Sequence, residues 1–156
     1  VIPMRDVSDN RILGVQRIRW DEAERAWVKK MAYGMRATGA VLRLGPPRAP
    51  ETILCEGYAT GLSIDAAVKQ MRLNAAVLVC FSDVNMRQVS GLVQGLKYAF
   101  ADNDVSGAGE RATQAAGLAY CMSDVVGEDA NDLHQRAGLL AVSMKLMTAR
   151  RAAVGA

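Results

Sequence analysis

The sequence contains no apolar run long enough to span a membrane and no N-terminal pattern typical of a signal peptide. Its three cysteines, Cys55, Cys80 and Cys121, cannot all pair and lack the close spacing of a zinc site. Each lies in an apolar run, and free cysteine packs as a small hydrophobic side chain in reducing compartments. We therefore expect three buried, unpaired cysteines in a cytoplasmic protein that makes no membrane contact.

Strong charge of one sign, internal repeats and low-complexity segments are also absent. The 19 Lys and Arg residues outnumber the 16 Asp and Glu residues only slightly, and the net charge of +3 is weak support for a polyanionic partner. The chain has 156 residues, 51% of them hydrophobic and 22% charged, which suits one domain with a substantial core. A start at Val1 in place of methionine is compatible with a fragment of a larger protein.

Residues 1–50 have the pattern of a small β-rich subdomain. Near alternation of apolar and polar residues over 11–18 predicts one strand, and a polar bend separates it from a second strand at 26–31. These two strands should form a hairpin in which Trp20 faces Trp27. A third short strand is predicted at 40–44. The Gly- and Pro-rich connector that follows is interpreted as the subdomain boundary.

From residue 51 onward, short apolar runs alternate with segments of helical periodicity. The predicted strands are 52–55, 76–81, 98–101 and 118–122. The predicted helices are 60–71, 85–96, 110–117 and one or two helices from 131 onward. This alternation predicts an α/β fold with a mostly parallel four-stranded sheet flanked by helices. We assign 51–135 to this domain and 136–156 to a C-terminal helical tail.

Carboxylates follow two of the predicted strands at the point where each strand ends. Glu56 follows the first strand, and Asp102 and Asp104 follow the third. Ligands of parallel sheets collect beyond the C-terminal ends of the strands, so these acids should share one rim. In extended geometry, carboxylates at i and i+2 point the same way and suit a hard cation such as Mg²⁺. The alternatives are a turn or helix cap for the aspartates and a solvated turn for Glu56.

Two glycines are candidate ligand contacts at this rim. Gly57 would let the backbone turn sharply towards a ligand directly after Glu56. Gly107 belongs to a Gly-rich segment, 106–109, that opens a predicted helix and could offer backbone N–H groups to phosphate. A flexible turn explains that segment equally well.

Charged and polar residues elsewhere are further candidates. Lys29, Lys30 and Arg36 could contact a nucleic acid or a triphosphate, with solvated strand faces as the alternative. The only histidine, His134, follows the acidic and amide side chains of Asp132 and Asn131. By spacing alone, a structural role at the start of a helix explains this histidine at least as well as a ligand contact.

Three motifs in this order resemble the Toprim domain. They are Glu-Gly-Tyr-Ala-Thr at 56–60, Asp-Asn-Asp at 102–104 after an apolar strand, and Asn-Asp-Leu-His at 131–134. The resemblance covers about residues 52–135. Within the family, the sequence looks like the primases of phages, plasmids and integrated elements. The segment 11–45 also resembles the stretch that precedes Toprim in those proteins.

The resemblance implies a catalytic core shared with topoisomerases, primases and OLD-family nucleases. It implies acid–base or metal chemistry for Glu56 and Mg²⁺ binding by Asp102 and Asp104, with Mn²⁺ as a substitute. For a primase, the implied reaction is RNA primer synthesis, in which a nucleotide 3′-OH attacks the α-phosphate of an incoming NTP. The implied partners are a single-stranded DNA template, NTPs and a replicative helicase or flanking helicase domain.

The sequence departs from the family pattern at several positions. Thr60 stands where replicative primases usually carry an aspartate, Asp83 is displaced by one position within 81–85, and Ala130 stands where an aromatic residue is usual. A Cys/His zinc module and a P-loop are both missing. Two alternatives therefore stay open. One is a Toprim nuclease that hydrolyses DNA phosphodiesters with the same acids, and the other is a non-catalytic Toprim-like module that binds nucleic acid.

Overall fold

One eight-stranded sheet runs through the computed structural model, which describes residues 1–156. The strands are β1 (Ile2–Asp6), β2 (Ile12–Asp21), β3 (Ala26–Met31), β4 (Ala40–Leu44), β5 (Glu51–Cys55), β6 (Ala75–Val79), β7 (Leu96–Phe100) and β8 (Ala119–Cys121). The helices are α1 (Tyr58–Gln70), α2 (Asp83–Leu92), α3 (Ala108–Ala115), α4 (Ala130–Ala137) and α5 (Leu139–Val154). None of the helices combines the length and apolar character needed to cross a bilayer.

The predicted α/β architecture is confirmed in the second part of the chain. Strands β6, β5, β7 and β8 lie side by side in that order and pair in parallel. Every residue of β6 is buried, as expected for a strand with both faces covered. Helices α1, α4 and α5 pack together on a cluster of 20 buried residues, and a cluster of 8 lies on the α2 side. All three cysteines are free and buried, as predicted.

The sheet is larger than the four strands expected, because the N-terminal strands extend it. β4 pairs antiparallel with β6, and β1 pairs antiparallel with β4 and β2. The predicted hairpin is confirmed as β2 and β3, with Trp20 directly opposite Trp27. Strand β1 was not predicted, because Pro3 and Arg5 interrupt an apolar pattern that is carried by only two buried residues, Ile2 and Met4.

The predicted extent of the second helix is wrong at its C-terminal end. The apolar periodicity suggested a helix to residue 96, whereas α2 ends at Leu92. Val93 adopts an extended backbone, and Gly95 takes a positive φ of 84°. Leu96 then belongs to β7. The same apolar spacing therefore serves two elements that meet at a turn.

Asn85 connects α2 to two strands. Its side-chain amide donates hydrogen bonds to the carbonyl oxygens of Ala40 (2.7 Å) and Cys80 (2.8 Å), and its oxygen accepts one from the Gly39 N–H (2.7 Å). The side chain is buried. Asn85 therefore fixes the start of β4 against the end of β6.

We expect Asn85→Ala to lower the free energy of unfolding by about 3–5 kcal/mol, because it leaves three buried backbone groups unpaired. Urea denaturation provides the measurement. Gln88→Ala, at an exposed position of the same helix, is the matched control and should change stability by less than about 0.5 kcal/mol. Equal effects of the two substitutions would contradict the structural role of Asn85.

A partly buried ion pair ties α5 to the sheet at the end remote from the strand C-termini. The Arg150 guanidinium donates to both carboxylate oxygens of Glu51, at 2.8 and 2.5 Å, and the Tyr98 hydroxyl donates to the same carboxylate at 3.3 Å. The hydrogen bonds from Arg150 lower the pKa of Glu51 below its usual value of 4.5. The ionised form of Glu51 is therefore the form that stabilises the fold.

Glu51→Gln should lower the free energy of unfolding by about 1–2 kcal/mol at pH 7. A carboxyl group whose folded-state pKa is lowered stabilises the fold above its ordinary pKa and loses this contribution as the pH falls through the lowered value. The difference between wild type and variant should therefore vanish in acid. Thermal melts from pH 7 downward test this, and a difference that is constant over the whole pH range would contradict it.

Candidate functional site

Two carboxylates meet at the C-terminal edge of the parallel strands. β5 ends at Cys55 and β7 ends at Phe100, and these strands are direct neighbours in the sheet. Glu56 follows the first strand directly, and Asp102 lies two residues beyond the end of the second. The charge of Glu56 is among the causes that raise the pKa of Asp102. The structure therefore brings these two predicted site residues together.

Asp102 has an unpaired buried oxygen. Its Oδ1 is the one buried side-chain nitrogen or oxygen of the chain without a hydrogen-bond partner. Burial raises the pKa of this carboxyl to about 7, and the negative charges of Glu56 and Asp129 act in the same direction. Leaving a buried polar atom unpaired costs about 1–3 kcal/mol, so native structures rarely do so. The Asp102 carboxylate is therefore suited to a cationic or proton-donating ligand.

Glu56 is half-buried at the start of the loop that leads into α1. Burial raises the pKa of its carboxyl, and the negative charges of Asp83 and Asp104 add to the effect. Its backbone is held in place, because the Phe81 N–H donates to the Glu56 carbonyl oxygen at 2.9 Å. Gly57 is the N-cap of α1 and has an ordinary extended backbone (φ −93°, ψ 152°), so the sharp turn expected at this glycine is absent. Glu56 thus presents a partly desolvated carboxylate beside Asp102 from a hydrogen-bonded backbone.

Asp104 occupies a different environment from Asp102. Its carboxylate accepts hydrogen bonds from the Ser106 hydroxyl and from the backbone N–H groups of Ala108 and Gly109, the last two at 3.3 Å. These bonds, that of Ser106 first, lower the pKa of Asp104 to about 2. Residues 102–104 lie beyond β7, which ends at Phe100, and the two aspartates do not share their partners as the i and i+2 spacing suggested. Asp104 caps α3 while remaining within electrostatic range of Asp102.

Glycines allow α3 to close against the acidic rim. Gly107, at φ 68°, is the N-cap of α3. A Cβ atom at Gly109 would lie 2.8 Å from the Asp102 carbonyl oxygen and 3.2 Å from its nitrogen. The first distance is shorter than real Cβ contacts, so only glycine permits this approach. Gly109 therefore contributes to the position of Asp102, a role that the sequence did not reveal.

Lys29 approaches the acidic pair from the β2–β3 hairpin. Its positive charge lowers the pKa of both Glu56 and Asp102. Lys29 nevertheless takes part in none of the ion pairs of the structure. A free, exposed cation therefore lies beside two partly desolvated carboxylates, and it can reach the phosphate groups of a ligand bound there.

The other two predicted basic contacts have different neighbours. Lys30 lies on the opposite face of β3, where it lines a cavity of about 260 Å³ with Arg17 and Arg19. Arg36 forms an ion pair with Asp6. Of the three cations, only Lys29 acts on the pKa values of the acidic rim.

Asp129 joins the acidic pair from the start of α4. It is the N-cap of this helix and forms a capping box with Asp132, accepting from the backbone N–H groups of Asn131 (2.7 Å) and Asp132 (2.9 Å). The Thr60 hydroxyl donates to its other oxygen at 2.7 Å. The threonine that departs from the family pattern thus positions a further acid. Asp129 was not among the residues predicted for the site from the sequence.

His134 and Asn131 face α1 and contact Ser63. The Ser63 hydroxyl lies 3.1 Å from His134 Nδ1 and donates to Asn131 Oδ1 at 3.4 Å. These contacts hold α4 against α1. Neither residue is among the charges that shift the pKa values of Glu56 or Asp102. In this structure, His134 and Asn131 support the rim through their contacts with α1.

The carboxylates of the rim are oxygen donors of the kind that a divalent cation binds when it keeps much of its water shell. No three His, Cys, Asp or Glu side chains lie close enough together to form a complete protein cage for a metal ion. Mg²⁺ usually takes only one or two carboxylates and completes its coordination with water and phosphate oxygens. Glu56 and the unpaired oxygen of Asp102 meet that requirement. The donor set therefore fits Mg²⁺ or Mn²⁺.

Comparison with known proteins identifies one family. A family model described as the Toprim domain matches residues 51–139, more than half of the chain. The matched segment contains the acidic rim and ends at the start of α5, whereas Lys29 and the β2–β3 hairpin lie before it. No curated protein and no solved structure matches the chain.

Proposed function

The chain belongs to the Toprim family, and on this premise we propose that it catalyses magnesium-dependent nucleotidyl transfer as the core of a phage- or plasmid-type primase. Toprim domains bind divalent metals such as Mg²⁺ and serve functions related to nucleic acids. The observation that carries the proposal is the proximity of three groups. The Glu56 carboxylate lies near the Asp102 carboxylate, whose buried Oδ1 has no hydrogen bond, and the free cation Lys29 lies beside them. The proposed substrates are NTPs and a single-stranded DNA template, with a replicative helicase as a partner.

Each residue of the rim has a distinct part in this mechanism. Glu56 and Asp102 would hold the ion, which when bound lowers the pKa of the attacking 3′-OH and neutralises charge on the transferred phosphate. Lys29 binds phosphate oxygens that approach from the hairpin side. Asp104 caps the N-terminus of α3 by accepting from the Gly109 N–H, and the Thr60 hydroxyl orients the Asp129 carboxylate. Asp104 and Thr60 therefore hold the rim in a fixed arrangement, and the positive charge of Lys29 complements the negative charge of the transferred phosphate.

Hydrolysis of DNA is the second candidate function, and the shape of the rim favours it. Neither Glu56 nor Asp102 lines any of five surface cavities of about 260–430 Å³. Acids that lie outside such cavities suit the backbone of a polymer at least as well as a separate nucleotide. A nuclease would use the same two carboxylates to activate water against a phosphodiester.

One set of incubations separates the candidates. The full chain is incubated with circular single-stranded DNA and Mg²⁺, with and without NTPs, and the products are resolved on denaturing gels. Oligoribonucleotides that require NTPs support the primase, whereas DNA cleavage without NTPs supports the nuclease. A chain that gives neither product and shows no heat of Mg²⁺ binding by calorimetry is a non-catalytic module, and the proposal is then wrong.

A further inference from the structure

The two tryptophans of the chain form an exposed pair on the β2–β3 hairpin. Trp20 and Trp27 are cross-strand partners, and their rings meet edge to face with centroids 5.5 Å apart and an interplanar angle of 71°. Trp20 is 43% and Trp27 is 65% exposed. Such a contact stabilises a hairpin by about 0.5–1.5 kcal/mol, which does not account for leaving this much aromatic surface in water.

The pair lies on the same face of the hairpin as Lys29. Directly opposite residues of antiparallel strands share a face, and so do residues two apart along one strand. Lys29 is two residues from Trp27 on β3, about 7 Å along the strand, and is paired with Ile18 in an unbroken register. Ile18 packs against the main hydrophobic cluster. The aromatic pair therefore continues the surface that leads past Lys29 to the acidic rim.

The hairpin also carries charge that suits a polyanion. Residues 17–30 contain five basic and three acidic side chains, and the acidic ones lie at the turn. One of them, Asp21, is paired with Arg19. Lys29 lies on the tryptophan face, and Arg17, Arg19 and Lys30 line the cavity on the other face. A strand stacked on the tryptophan face can therefore contact Lys29 directly, whereas the cations of the opposite face add to the positive potential around the hairpin.

We propose that Trp20 and Trp27 form a base-stacking platform for single-stranded nucleic acid, which leads an unpaired strand past Lys29 to the acidic rim. Every base has an aromatic face, so stacking on exposed tryptophan together with backbone contacts to cations binds single strands with little sequence preference. Paired bases cannot expose these faces without melting. The inference rests on the proposed function in one respect, because the bound strand is the substrate of the rim.

Fluorescence tests the platform directly, because the chain has no other tryptophan. Binding of unlabelled 12-mers of deoxythymidine or uridine, in EDTA and without NTPs, should quench the emission in a saturable way. Affinities of the variants are measured by anisotropy of the same strands carrying fluorescein. The DNA and RNA arms identify the preferred strand, and a blunt duplex of equal length should bind at least about tenfold more weakly.

Substitutions separate stacking from the stability of the hairpin. Trp27→Ala should weaken binding of the labelled strand by about tenfold or more, whereas Trp27→Phe retains a stacking face and most of the affinity. Ile12→Ala, which removes an exposed apolar side chain elsewhere on β2, is the matched control and should bind like wild type. Melting curves by circular dichroism establish that each variant is folded at the assay temperature.

Several outcomes would overturn the platform. They are unchanged tryptophan emission, wild-type affinity of a folded Trp27→Ala variant, or equal binding of duplex and single strand. A change of sedimentation coefficient on Trp27→Ala would assign the pair to contact with a second copy instead. The fluorescence assay omits metal and NTPs, so its result is independent of the gel incubations that test catalysis. Quenching in the first with no product in the second would disprove the proposed function alone. Product in the second with no quenching in the first would disprove the platform alone.

Discussion

Asp102→Asn should abolish metal-dependent phosphoryl transfer and leave the metal-free protein at least as stable as wild type. The activity is expected to fall on the order of 10³-fold, because the substitution removes a negative charge from the site that binds the cation. In EDTA, the free energy of unfolding should rise by about 1–2 kcal/mol, because a neutral amide costs less to bury than a carboxylate with an unpaired oxygen. Loss of function and gain of stability together are specific to a preorganised ligand site.

Thermal melts with and without Mg²⁺ measure whether Asp102→Asn removes binding of the cation. Ligands that bind only the folded state raise its melting temperature, so Mg²⁺ should stabilise wild type and have no such effect on the variant. Asp9→Asn, at an exposed surface position, is the matched control and should retain both activity and the Mg²⁺ effect. A variant that is still stabilised by Mg²⁺ and still active would show that the cation binds without Asp102.

The strands and helices with strong periodicity were predictable from the sequence. The continuous apolar run that contains β6 indicated a strand buried on both faces, and the hairpin followed from two alternating segments around a polar bend. The pairing of β4 with β6 was not predictable, because it depends on where the connector at 45–50 directs the chain. That pairing joins the N-terminal strands to the central sheet and makes it an eight-stranded one.

The acidic rim was only partly predictable. Strand ends indicated the shared location of Glu56 and Asp102, because β5 and β7 pair in parallel. The direction of the Asp104 side chain was not predictable from its spacing. β7 ends at Phe100, and the backbone N–H groups of Ala108 and Gly109 at the start of α3 donate to the Asp104 carboxylate. Side-chain partners of this kind depend on loop conformation, about which strand periodicity carries no information.

The role of Asp129 shows a different limit of sequence reasoning. Comparison with the family pattern at position 60 shows only that threonine replaces the usual aspartate. In the structure, the Thr60 hydroxyl holds Asp129 from another part of the chain, and the charge of Asp129 acts on Asp102. A hydrogen bond over 69 sequence positions is invisible until the fold is known. The acidic character of the rim is therefore maintained by a residue outside the first motif.

Gly109→Ala should lower both the activity of the acidic rim and the stability of the fold, although alanine is intrinsically favoured over glycine in a helix. Alanine is favoured over glycine within helices by about 0.5–1 kcal/mol. At this position, however, the added Cβ would lie 2.8 Å from the backbone oxygen of Asp102, and backbone cannot rotate out of the way as a side chain can. Helix α3 must therefore move away from the rim, which weakens the bond from the Gly109 N–H to Asp104.

The expected cost of Gly109→Ala is about 1–3 kcal/mol of unfolding free energy, the usual range for overpacking a buried contact. Displacement of Asp102 by a fraction of an ångström should also lower the activity, on the order of 10²-fold. Gly91→Ala is the matched control, because Gly91 lies in α2 with open space around it and should gain about 0.5–1 kcal/mol without loss of activity. Urea denaturation and the gel assay measure both properties. If Gly109→Ala gained stability and kept its activity as Gly91→Ala does, the close approach of α3 would not be what holds Asp102 in place.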